Sequence, residues 1–102
     1  MASRLDLHEE LCNILGSRNV YFQPPANVKM QYRCIRYSGS GNDVGRANDL
    51  AYRVTNRYDG VVIDYDPDCD IPSKLLQHFP MCSLGSAYVS DNLNHFPFTI
   101  YY

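Results

Sequence analysis

Tyr58-Asp59-Gly60-Val61-Val62-Ile63-Asp64-Tyr65 holds the most apolar β-branched triplet of the chain, Val61-Val62-Ile63. A strand covered on at least one face needs such a run, so this stretch is read as the central strand of a sheet. Behind it, Asp66-Pro67 opens a turn, Asp68 or Asp70 caps a helix, and Pro72 fits that helix's first turn. The helix is expected over about Ile71 to His78, with Leu75, Leu76 and Phe79 against the sheet and Pro80 as its stop. His78 falls at the C-terminal end, where an imidazolium is favourable. In front of the triplet, Tyr52 to Tyr58 leads into the same strand. Asp59-Gly60 is read as a bulge in one long strand, not as a hairpin turn.

Further out, Leu7, Leu11, Ile14 and Leu15 recur at helical spacing. They predict an amphipathic first helix with Ser3 as N-cap and Gly16 as its left-handed closing residue. His8 and Glu9 are expected on its wet face. Asn19 to Gln23 reads as a short strand stopped by Pro24-Pro25, and Tyr32 to Tyr37 as a second strand with Tyr32, Cys34 and Arg36 on one face. Ser38 to Gly45 is read as a mobile hairpin tip. Its glycines match neither phosphate-loop spacing and precede no helix. Ser83 to Val89 suggests one strand, Asp91 to Asn94 a turn, and His95 to Tyr102 an aromatic strand. Pro97 argues for an edge position or a strand start in that last strand. The expected order is α-β-β-β-α-β-β: an α+β fold with a single antiparallel or mixed sheet of about five strands and two helices on one face.

The 102 residues suit one domain and one core, with 45% hydrophobic and 20% charged residues against the entropy of ordering. A formal net charge of -2 supplies no basic field for a phosphate backbone, so no nucleic-acid recognition is expected. No apolar run approaches a membrane span or forms a visible export signal. Cys12, Cys34, Cys69 and Cys82 lack paired spacing and are expected to be free thiols. Aspartates at 64, 66, 68 and 70 alternate and are easily mistaken for a metal site, but the match to a calcium loop fails. The sixth and twelfth positions counted from Asp64 hold Cys69 and Leu75, where the loop needs glycine and glutamate. A rival enzymatic reading places a metal-dependent site on Asp64, Asp66 and His95.

Several strings carry more information than their periodicity. Val20-Tyr21-Phe22-Gln23-Pro24-Pro25, Ala47-Asn48-Asp49, Val62-Ile63-Asp64-Tyr65-Asp66-Pro67-Asp68 and Phe98-Thr99-Ile100-Tyr101-Tyr102 are among them. Together they resemble the small tail terminator, or tail-completion, proteins of long-tailed bacteriophages, over residues 1–102 as one domain. The resemblance implies a structural virion protein forming a ring, commonly a hexamer, at the head-proximal end of the tail tube. Its implied partners are copies of itself, the tail tube protein and a head-completion or connector protein. It implies no cofactor, no metal and no catalytic residue, and a place in the virion neck after assembly in the host cytoplasm. Another neck or minor tail role is the alternative. The candidate subunit or tube interface is the segment around Asn42, Arg46, Asn48, Asp49 and Tyr52, expected to order on docking.

Overall fold

A computed structural model describes residues 4–24, 29–47 and 50–102, with only the backbone of 40–47 and 50–55. It shows an α+β fold: α1 (Arg4–Leu15), β1 (Val20–Phe22), β2 (Cys34–Ala47), β3 (Leu50–Asp64), α2 (Ile71–His78), β4 (Cys82–Leu84), β5 (Tyr88–Ser90) and β6 (Leu93–Tyr101). The mixed sheet has six strands in the order β1-β2-β3-β6-β4, with β5 also on β6. Among the described residues only β1 and β2 run parallel. Among the described residues no helix is long and apolar enough to cross a membrane.

Alternation along β3 divides the molecule into two faces. Tyr58 and Val62 join Leu7, Leu11, Leu15, Ile35, Tyr37, Ile71, Leu75, Phe98 and Ile100 in the main core, which both helices cover. Val61 and Ile63 face the other way, into a smaller cluster with Cys34 and Leu93 that Tyr21, Met30 and Tyr32 flank. The β-branched triplet is therefore buried on both sides, as an apolar run without alternation demands.

Both helices end as their sequences dictate. Gly16 adopts φ +81° and donates its N–H to Cys12 O at 2.9 Å, closing α1. Pro72 occupies the first turn of α2, and the Phe79 N–H reaches Leu75 O at 3.0 Å before Pro80. Ser3, expected as the cap of α1, lies outside the described residues. Asp70 stands at the N-cap of α2 but makes no side-chain capping bond. Its carboxylate is drawn instead to Lys74 at 3.4 Å and Arg33 at 3.8 Å. Leu76, expected in the core, is 46% exposed: α2 turns Ile71, Leu75 and Phe79 inward, and one step past Leu75 lies outside that stripe.

Pro97 corrects a second expectation. It lies in an interior strand, since β6 pairs with β3 on one side and with β4 and β5 on the other. Its carbonyl accepts the Gly85 N–H at 2.9 Å, so its missing donor faces the same neighbour and not β3. The chain opposite it parts there, and the single strand expected over Ser83 to Val89 becomes β4 and β5. Asp91 and Asn92, at φ 55° and 63°, form the two-residue turn from β5 into β6.

The long strand through Asp59-Gly60 is present, but the bulge is elsewhere. Asp59 and Gly60 keep regular register with both neighbours, while the shifts fall between Gly39 and Gly41 and between Gly45 and Arg46. Gly60 is required because the Phe98 ring lies across it. A Cβ there would stand 2.4 Å from Phe98 Cζ and 2.9 Å from Arg36 O. The ring can shift, but the carbonyl belongs to a paired strand and cannot give. Gly60→Ala is expected to cost about 1–3 kcal/mol through overpacking, read as a lower midpoint in urea unfolding with unchanged slope.

Candidate functional site

The feature that sets this molecule apart from a compact domain is the β2–β3 hairpin. Pairing of β3 with β6 ends at Arg57 opposite Tyr101, and β1 reaches only as far as Tyr37. From Gly41 opposite Arg57 to Ala47 opposite Leu50, β2 pairs among the described residues with β3 alone, and past Arg57 β3 keeps one bond to the body of the sheet, the Tyr102 N–H to Asn56 O. Seven residues of strand reach roughly 23 Å at about 3.3 Å each. The principal extents of 50 × 27 × 23 Å reflect that arm, and the radius of gyration, 14.6 Å, exceeds the ~13 Å of a compact chain this long.

The glycine-rich stretch is thus strand and not the tip of the hairpin. It pairs because 53–58 supply a β-forming partner, with Val44 directly opposite Val54. Of the residues singled out from sequence, Asn42 pairs with Asn56 and Arg46 with Ala51, both on this arm. Tyr52 falls at the second register shift. Asn48 and Asp49 lie outside the described residues.

At the other end of β3, the four alternating aspartates have separate fates. Asp64 is buried and faces Arg33 Nε at 3.5 Å, while its Oδ1 accepts the Asp66 N–H at 3.2 Å. Asp66 Oδ1 accepts the Asp68 N–H at 2.9 Å, so two successive side-chain turns fold the corner. His95 does not join them. It pairs in register with Ile63, one residue out of phase with Asp64, and so faces the opposite side of the sheet. There its ring stacks on Tyr88, with centroids 4.8 Å apart and planes 12° from parallel, and its Nδ1 meets Leu93 O at 3.0 Å. Asp64, Asp66 and His95 are therefore not brought together. Among the described residues no three His, Cys, Asp or Glu side chains converge for a metal. All four cysteines are free, and burial pushes the Cys34 thiol up to about 11.

The helical face carries two polar clusters that periodicity missed. His8, expected to face water, is half-buried, and its Nδ1 lies 2.8 Å from the hydroxyl of the fully buried Tyr37. Burial of this imidazole disfavours its charge and lowers its pKa. Glu10 meets His78 Nε2 at 3.1 Å through Oε1. Its Oε2 is buried with no partner of regular hydrogen-bond geometry, yet the Tyr102 hydroxyl is near enough that the two groups shift one another. Hydrogen bonding to Glu10 pushes the Tyr102 phenol up to about 12 and in turn holds the Glu10 carboxyl below its ordinary 4.5. A phenol raised on folding stabilises the fold below its unfolded pKa and loses that contribution as pH climbs through 10 to about 12. Glu10→Gln is expected to bring the Tyr102 titration back toward 10, visible in the Cζ chemical shift of Tyr102 against the other tyrosines.

On the face away from the helices, the sheet leaves an open groove of about 510 Å³ over β2, β3 and β6, bordered by Gln23 and Tyr88. Arg36 and Ser38 line one side, with Val61 and Pro97 beneath. The shared face of Cys34 and Arg36 was readable from alternation; the groove was not, because Tyr88 arrives through a strand break set by Pro97. Asp59, its carboxylate, accepts a hydrogen bond from Thr99 Oγ1 at 2.8 Å and pairs with Arg57 at 3.4 Å. No protein-family model matches the chain, and no curated protein matches it.

Proposed function

We propose that the chain is a ring-forming structural subunit at the head-proximal end of a bacteriophage tail, terminating the tube and presenting a surface to the head connector. The observation that carries this reading is the β2–β3 arm, two strands wide, projecting from a sheet whose helices already bury the core. A ribbon of two strands is marginal by itself in water. It gains the contacts it lacks by lying against a neighbouring subunit or the tube, with Asn42, Arg46, Asn48, Asp49 and Tyr52 as contact residues. The strings that resemble the tail terminator proteins name the same assembly.

A ring needs two different, complementary surfaces on each copy. The groove on the open sheet face and the turn beyond the far end of β3 are different surfaces on one sheet, and the arm is left to meet the tube. Tyrosines suit such surfaces because each offers an apolar ring with a polar tip. Electron microscopy of particles assembled without this protein tests the reading. Tails of uncontrolled length, or finished tails detached from heads, are expected; normal virions would end it.

A further inference from the structure

Of the four alternating aspartates, two are neutralised and two are offered outward. Arg33 faces Asp64 and Asp70, and Lys74 also takes Asp70. Among the described residues no cation lies within ion-pair distance of Asp66 or Asp68. The corner they form is exposed and rigid. Tyr65 is 67% exposed, and its carbonyl accepts Asn94 Nδ2–H at 3.2 Å. Pro67 and the two side-chain turns fix the rest.

The groove is the converse. Arg36 is exposed and has no carboxylate within ion-pair distance among the described residues, because Asp59 is held by Arg57 and Thr99. The same groove is lined by Tyr88, half exposed with one ring face on His95, and by Pro97, which offer apolar surface to a tyrosine and a proline. One molecule thus carries an unpaired cation in an aromatic-edged groove and an unpaired acidic, aromatic knob elsewhere.

We propose that the corner Tyr65-Asp66-Pro67-Asp68 of one copy docks in the Arg36 groove of the next. Arg36 takes the Asp68 carboxylate in a charge-assisted pair, and Tyr65 and Pro67 pack against Tyr88 and Pro97. The contact is head-to-tail, so it closes into a ring when its rotation divides a full turn. It rests on the ring reading above and specifies the surfaces that make the ring.

A charge-exchange cycle tests it by sedimentation velocity over a concentration series. Arg36→Asp and Asp68→Arg each place like charges in the contact and are expected to raise its dissociation constant at least roughly tenfold. The double variant restores opposite charges and recovers the wild-type oligomer. Both side chains are exposed, so thermal unfolding is expected to be unchanged and to exclude misfolding as the cause. A wild-type oligomer that keeps its size in both single variants overturns this contact and leaves the ring reading standing, since that reading is judged on tail length. Single variants that dissociate but are not rescued in the double variant overturn the pairing of these two charges. A wild-type chain that stays monomeric throughout overturns self-docking altogether.

Discussion

Replacing residues 42–56 by Asn-Gly is expected to leave a folded domain that, on the proposed reading, no longer supports tail assembly. The exchange keeps Gly41 opposite Arg57 and closes the shortened hairpin with the two-residue turn that strand twist favours. Pairing of Tyr58 to Asp64 with β6 is untouched, as are the two clusters that hold the helices and the lower sheet face. Outside the arm's own ladder one backbone bond is at stake, from the Tyr102 N–H to Asn56 O at 2.9 Å, worth about 0.5–1.5 kcal/mol. Circular dichroism is expected to retain both helices while complementation of particles lacking the protein fails. Complementation by the shortened chain would remove the arm from the interface.

Leu75→Ala is expected to be the most damaging single truncation in α2, at about 2–5 kcal/mol. Leu75 is fully buried between the helix and the sheet, in the same cluster as Ile71, Phe79 and Ile100. Domains of this size have only about 5–15 kcal/mol in total, and each kcal/mol moves the melting temperature about 4–8 °C. Leu76→Ala is the control. Its side chain is 46% exposed, and a surface change of this kind is expected within about 0.5 kcal/mol. Thermal unfolding of the pair separates them; equal losses would mean that α2 presents a different stripe to the sheet.

The contrast between Leu75 and Leu76 also shows what the sequence makes legible. The Val61-Val62-Ile63 run and the spacing of Leu7, Leu11 and Leu15 are local signals, and the central strand and α1 follow from them directly. Gly16, Pro72 and Pro80 act on their own backbone, so both helix ends are readable too. Which side of α2 turns inward depends on the helix's rotation over the sheet, a tertiary quantity that one turn of sequence does not specify. Pro97 shows the same limit. A proline in a strand argues for an edge only if its missing donor would have met a partner, and here the chain parts at Gly85 opposite it.

The candidate site was legible in one half. Glycines at 39, 41 and 45 suggested a mobile tip, because strand interiors disfavour glycine; the partner strand that makes them a ribbon is recognised only once the register is known. Asn42, Arg46 and Tyr52, singled out from the sequence as an interface, fall on this arm. The groove beside Arg36 was not legible, since it is assembled from four separate strands and the segment after β1. Tyr37 likewise reads as an ordinary strand residue until α1 brings His8 to 2.8 Å from its hydroxyl.

Locating a tagged copy of the chain on intact virions by electron microscopy tests the structural reading most directly. The label is expected as a closed ring confined to the junction of tail and head. Label spread along the tail shaft, placed in the head, or missing from finished virions would contradict it.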